Sequence, residues 1–279
     1  MQTDGWKYYN HAVIPTTPPH QNPDTTLIED GSIWKISGKP LFARWTTDFD
    51  CGYETNWWYV VKDSPFDINV LKAKRRYEIN KGIKNFDVRP INVAKYKEAM
   101  YTVQTNAFAA YPEKYRPIIT QESFFEDVAG WNTHVVLGAF FRETNELVGY
   151  TMLFFESEKY VNFCVLKADP AFERYGINAA LCAGVLVHFN DFLSNGGLIS
   201  DGSRSVNHET HFQEYLEKNF GFRKAYCNLH MKYNPRIKLL VSLLYPFRKL
   251  FSKFDNVEIV HSVNSVLKME SICRNEEFI

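Results

Sequence analysis

Residues 199–212 read ISDGSRSVNHETHF, a run in which Asp201, Ser203, Arg204, Ser205, Asn207, His208, Glu209 and Thr210 are polar or charged. Acid–base chemistry needs such a mixture. An unperturbed histidine titrates at about pH 6.5, so His208 suits a general base, with Glu209 as a second base and Asp201 to orient the imidazole. Arg204 suits an anionic part of a substrate, and Ser203 and Asn207 add hydrogen bonds. Ser203 or Ser205 as a nucleophile would act without the Gly-x-Ser-x-Gly elbow, which the chain lacks. The same residues also read as a capping turn, in which Asn207 caps a helix and His208, Glu209 and Thr210 fill its first turn.

The elements that must hold this run follow from periodicity and punctuation. Ahead of it, YVNFCVLK is a mostly apolar strand and therefore central. DPAFERYGINAAL (169–181) turns from that strand into a long helix that ends at Gly196-Gly197, and LISDGS is the next short strand. A turn into a helix presents backbone N–H groups to an anion, and Gly176 would let a phosphate approach closely. After the run come a helix in ETHFQEYLEKNF and a closing strand in FRKAYCNLHMKY. Upstream, DVRPI is a strand, NVAKYKEAMYTVQTNAF a helix, and QESFFEDVAGW a second helix capped by Thr120. THVVLGAFFR and LVGYTMLFF form a hairpin through ETNE.

Outside residues 87–233 the pattern changes. Residues 10–31 are rich in Pro, Thr and Asn and read as irregular, SIWKIS and LFARWT as a hairpin through GKP, and NWWYVVKD as a third strand. A helix spans about 68–84 and closes near Gly82. It carries Lys72, Lys74, Arg75, Arg76, Lys81 and Lys84 against Glu78, either as a solvated face or as a docking surface for a phosphate-bearing ligand. Beyond residue 233, PRIKLLVSLLYPFRKLFSKF is a basic amphipathic tail broken at Pro246. It either packs on the protein's own core or touches a membrane surface or partner. The expected division is 1–86, an aromatic-rich extension or truncated half-domain; 87–233, the main domain; and 234–279, the tail.

The order of elements over 87–233 resembles the GNAT acyltransferase fold: an α/β mixed sheet splayed between its fourth and fifth strands and flanked by helices, here with a small β-rich N-terminal extension. Two motifs carry the resemblance. In DPAFERYGINAAL, Pro170, Phe172 and Gly176 fall in register with the family's pyrophosphate loop, whereas Glu173 stands where Arg or Gln is usual and Asn178 where a second Gly or Ala is usual. A carboxylate about 6 Å from a phosphate costs on the order of 3 kcal/mol at an effective dielectric near 20, which Arg174 next door offsets. In FQEYLEKNFGFRKAYCNLHMKY, Glu217, Lys218, Gly221 and Phe222 align with one extra residue before the glycine. The resemblance implies a thioester donor, acyl-CoA or acyl carrier protein, with its pantetheine along Val165 and Lys167 and its phosphates by Arg174, Tyr175, Gly176 and Asn178. It implies Tyr215 as the acid for the leaving thiolate, and a small-molecule or peptide amine as acceptor. KAKRRYEINKGIKNF also resembles the equivalent stretch of Fem-type peptidyltransferases, which take acyl groups from aminoacyl-tRNA and tend to have lost the glycine-rich loop. That alternative makes tRNA a partner. A non-catalytic GNAT-fold binding module is a third reading, against which the polar run at 201–210 argues.

Composition is compatible with all three. The 279 residues are 45% hydrophobic and 16% aromatic, enough for a folded core, and the formal net charge is zero, so partners are read from local charge alone. Cys51, Cys164, Cys182, Cys227 and Cys273 are odd in number and form no CxxC pair, which argues against a disulfide framework and a zinc site. The first residues lack a signal-peptide pattern, and no apolar run is long enough to span a bilayer. The expectation is a cytoplasmic enzyme without a metal, membrane-peripheral in the case where the tail touches a bilayer.

Overall fold

A computed structural model describes residues 2, 3, 5–113, 116–206 and 211–276. In chain order these form β1 (Gln2–Thr3), β2 (Trp6–Tyr9), β3 (Ala12–Pro15), α1 (Thr26–Glu29), β4 (Phe42–Thr47), β5 (Trp57–Lys62), α2 (Ala73–Asn85), β6 (Phe86–Pro90), α3 (Val93–Ala109) and α4 (Gln121–Ala129). They continue as β7 (Val135–Phe141), β8 (Glu146–Ser157), β9 (Tyr160–Ala168), α5 (Ile177–His188), α6 (Asn190–Ser194), β10 (Leu198–Ser203), α7 (Phe212–Phe220) and β11 (Arg223–Tyr233). The chain ends in α8 (Pro235–Leu244), α9 (Arg248–Phe251) and α10 (Glu258–Cys273). They group into two compact units, residues 61–202 with 212–223, and residues 1–60 with 203–211 and 224–279. The expected boundaries at 86/87 and 233/234 therefore do not coincide with these units. Helix α2 joins the GNAT-like unit, and β11 joins the other.

The GNAT-like unit is a mixed sheet in the order β10-β9-β8-β7-β6, flanked by helices. Strands β6 to β9 run antiparallel to their neighbours, and β10 lies parallel to β9. On one side α3 and α4 bury Met100, Val103, Phe124 and Val128 against Val136, Tyr150 and Met152. Thr120 caps α4 as its sequence requires: its side chain accepts the Ser123 N–H, and the Thr120 N–H donates in return to the Ser123 hydroxyl oxygen. On the other side α5 buries Ile177, Ala180 and Leu181 against Phe86, Ala139 and Phe141. The long expected helix after Gly176 bends at Phe189 into the separate turn α6.

In the other unit the strand order is β1-β2-β3-β4-β11-β5. Two expectations are corrected here. Residues 10–31, read as irregular, begin with the turn and second arm of a hairpin: β3 pairs with β2 through Asn10 and His11, both at positive φ as a two-residue hairpin turn demands. The segment read as the first arm of a hairpin, SIWKIS, is instead a 3₁₀ turn over Ser32–Lys35. Asp30 accepts both the backbone N–H and the hydroxyl of Ser32, and this local competition removes the backbone from a sheet ladder. β4 therefore pairs with β3 and β11, not with residues 32–36.

Candidate functional site

The site is built on the place where two strands part. β9 pairs with β8 along its whole length, but with β10 only through Leu198–Tyr160, Ile199–Val161 and Ser200–Asn162. Beyond Ser200 the backbone turns: Gly202 sits at φ +90° and its N–H bonds to the Ser200 hydroxyl at 3.0 Å. The expected splay between the fourth and fifth strands is thus present, with Asp201 at its mouth. A feature the sequence reading missed lies opposite. Leu153 pairs with Phe163 and Met152 with Val165, so Cys164 is the extra residue of a β-bulge, which re-aims β9 where the splay begins. Of the expected donor residues on β9, Val165 accepts the Thr151 hydroxyl on its carbonyl at 2.7 Å. Lys167 lays its ammonium over the Phe108 and Tyr111 rings at 4.7 and 5.8 Å.

Asp201 and Tyr215 both lie within electrostatic reach of Cys182 on α5. Burial pushes the Asp201 carboxyl up to about 7, opposed by a hydrogen bond from the Gln213 side chain. Cys182, from α5 beneath, lies close enough for the Asp201 charge to raise its thiol further after burial has done most of that work. Tyr215 is also pushed up by burial, then by Cys182 and Glu78, while Arg75 acts in the opposite sense. Its ring is fixed from both sides, stacked on Phe212 at 6.3 Å and edge-on to Phe220 at 5.5 Å, and Phe212 meets Phe163 of β9 at 5.8 Å. Arg75 and Glu78 of α2 pair at 3.1 Å. The arrangement offers a carboxylate raised toward neutral pH and a phenol that keeps its proton, both around Cys182. Gln213, Cys182 and the Arg75–Glu78 pair escaped the sequence reading, since all three depend on which helix faces which strand.

The other expected site residues are distributed differently. Asn207, His208 and Glu209 lie outside the described residues. Ser203 and Arg204 belong to the other unit. Arg204 is engaged there: its N–H bonds to Trp58 O at 2.8 Å, its Nη1 to Asn56 O at 2.7 Å, and its guanidinium lies 4.6 Å over the Trp58 ring. Desolvation lowers its pKa from the usual arginine value.

The helix start expected to hold phosphates packs against α2. Asp169 caps the turn by accepting Ala171 N–H at 2.9 Å, Gly176 sits at φ +87°, and the first α5 bond is Ala180 N–H to Gly176 O at 3.0 Å. Arg174 stacks on Tyr175 at 4.8 Å, and Asn178 is half-buried in the first turn. The Gly176 backbone, however, faces α2. A Cβ on Gly176 would come within 3.2 Å of Gly82 N, and one on Gly82 within 2.6 Å of Gly176 O and 2.9 Å of Ala180 N. Asn85 of the same helix donates to Tyr175 O at 3.2 Å. Gly176 and Gly82 therefore meet at a helix crossing, and Gly82 lies inside α2 rather than closing it. A glycine in the middle of a basic helix is the signal that could have shown this, because it weakens the helix unless a close approach requires it. Among the described residues no cluster of three or more His, Cys, Asp or Glu is arranged to hold a metal ion.

No protein-family model matches the chain, and no curated protein matches it. Solved structures do. FemX superposes with a TM-score of 0.52 at 10% identity, covering 79% of this chain and 78% of its own. The fold is GNAT-like, with the Fem-type resemblance. The C-terminal domain of a protein named as a lysylphosphatidylglycerol synthetase, from Agrobacterium fabrum, superposes at 0.51 and 12% identity over 85% and 82% of the two chains. A conserved protein of unknown function from Bacteroides thetaiotaomicron reaches 0.50 at 12% identity over 82% and 83%. At such identities the likeness concerns the fold.

Proposed function

We propose that the chain is an aminoacyltransferase that takes an amino acid esterified to tRNA and passes it to an amine acceptor in a ternary complex. The observation that carries this reading is the crossing of α2 over the Gly176 turn, glycine against glycine. A coenzyme A pyrophosphate needs that turn's backbone as its cradle, and α2 stands against it. The fold likeness to FemX runs in the same direction. On the same helix Lys74, Lys81 and Lys84 are exposed and share one face at helical spacing, which suits a phosphodiester backbone.

The chemistry follows from the residues at the splay. The acceptor amine attacks the ester carbonyl, the C–N bond forms and the C–O bond to the ribose breaks. Asp201 takes the proton of the attacking amine, and Tyr215 gives its own to the departing ribose oxygen. The parted strands and the bulge at Cys164 favour a second reading, a carrier-protein thioester whose pantetheine runs along β9 without a bound pyrophosphate. The test supplies the full chain with radiolabelled aminoacyl-tRNA, acetyl-CoA, longer acyl-CoAs and acyl carrier protein, each with a panel of amines. Amine-dependent discharge of the tRNA is expected; turnover of a thioester with the tRNA left charged would overturn the reading.

A further inference from the structure

The segment from Pro235 to Phe254 is helical almost throughout, as α8, a 3₁₀ turn over Tyr245–Phe247 that accommodates Pro246, α9, and a last 3₁₀ turn. Its inner face is satisfied. Val241 and Tyr245 are buried with Leu267 of α10, Ile237, Leu244 and Phe251 pack around them, and the Tyr245 hydroxyl reaches Ser271 at 3.1 Å. That would suffice for a helix docked on its own domain. Yet Leu239, Leu240, Leu243, Phe247, Leu250 and Phe254 are left 49% to 66% exposed. On α8, at 100° per residue, Leu239, Leu240 and Leu243 fall within an arc of about 100° beside the buried face, and Phe247, Leu250 and Phe254 continue the exposed apolar run through the following turns. Lys238, Lys249 and Lys253 are exposed along the same segment, and Arg236 is exposed at its start. The twenty residues carry Arg236, Lys238, Arg248, Lys249 and Lys253 and no acidic residue.

We propose that this segment docks the protein on an anionic lipid bilayer, lying in the plane of the interface with the leucine and phenylalanine arc in the acyl boundary and the lysines among the headgroups. Two apolar faces on one helix require two covers. α10 supplies one, and a run with basic charge only beside the second face matches an anionic surface. The aliphatic stems of the lysines can lie along the apolar arc while their ammonium groups reach phosphate. The surface is independent of the donor proposed above, so its failure leaves that reading untouched.

Vesicle flotation with the full chain tests it. Binding is expected to vesicles of phosphatidylcholine with phosphatidylglycerol and to weaken with added salt. Lys238→Gln/Lys249→Gln/Lys253→Gln should lower the partition coefficient by about two decades, and Leu239→Gln/Leu243→Gln/Leu250→Gln should abolish binding. Because these side chains point outward, both variants should keep the wild-type circular-dichroism melt. Failure of the wild type to float with phosphatidylglycerol, or flotation of the leucine variant equal to wild type, overturns the proposal. So does a wild-type dimer in sedimentation that the leucine variant makes monomeric, since a second copy would then be the cover.

Discussion

Replacing Asp201 by asparagine should slow the enzyme and stabilise the fold, and the second effect has a pH signature. The folded-state carboxyl titrates at about 7 against an ordinary value of 3.8, because burial disfavours its charge. Below pH 3.8 both states hold the proton and the group costs nothing. Between 3.8 and 7 only the unfolded state has lost it, so stability falls as pH rises; above 7 the full cost of about 4 kcal/mol is in place. From pH 5 to pH 8 the wild type therefore loses about 2–3 kcal/mol that Asp201→Asn does not lose. Urea unfolding of both proteins at the two pH values measures that widening gap directly. For the reaction, loss of a general base costs about 10²–10⁴-fold in kcat. The acidic limb of the kcat/KM profile, expected to bend near pH 7, should vanish. A stability gap that stays constant with pH would show that Asp201 does not carry the buried charge on which its catalytic role rests. An unchanged acidic limb in a folded variant would remove it as the base.

Tyr215→Phe keeps the ring contacts with Phe212 and Phe220 while deleting the proton donor, so kcat should fall by about two decades with an unaltered melting temperature. A loss confined to KM would assign Tyr215 to binding instead. Gly82→Ala places a methyl group 2.6 Å from Gly176 O and 2.9 Å from Ala180 N. Denaturant unfolding should register a loss of about 1–3 kcal/mol, against the gain that alanine brings to an ordinary helix interior. A stabilised Gly82→Ala would mean that α2 does not bear on the Gly176 turn.

Much of the fold was legible before the structure. The order of strands and helices over 87–233 follows from alternation, helical spacing, the Thr120 cap and the glycines near 176 and 196, because these are local preferences read out within a few residues. The N-terminal hairpin was missed because two residues with positive φ, Asn10 and His11, carry no glycine to announce the turn. SIWKIS was misread because Asp30 captures Ser32 before a strand can form.

For the site, residue types were enough to mark Asp201 as a candidate, and the resemblance to the GNAT fold marked Tyr215. What they did not determine is that the aspartate, offered as an orienting group, carries the strongly raised carboxyl. A pKa depends on what surrounds a group, and burial at the β9–β10 divergence and the Gln213 side chain come from segments about fifty residues apart. Gly176 makes the same point more sharply. Its place in a turn is local, but that a helix packs against that turn is set by Gly82, more than ninety residues earlier in the chain. Local sequence determines what a backbone can do at a position; only packing across the chain decides what comes to occupy the space it opens.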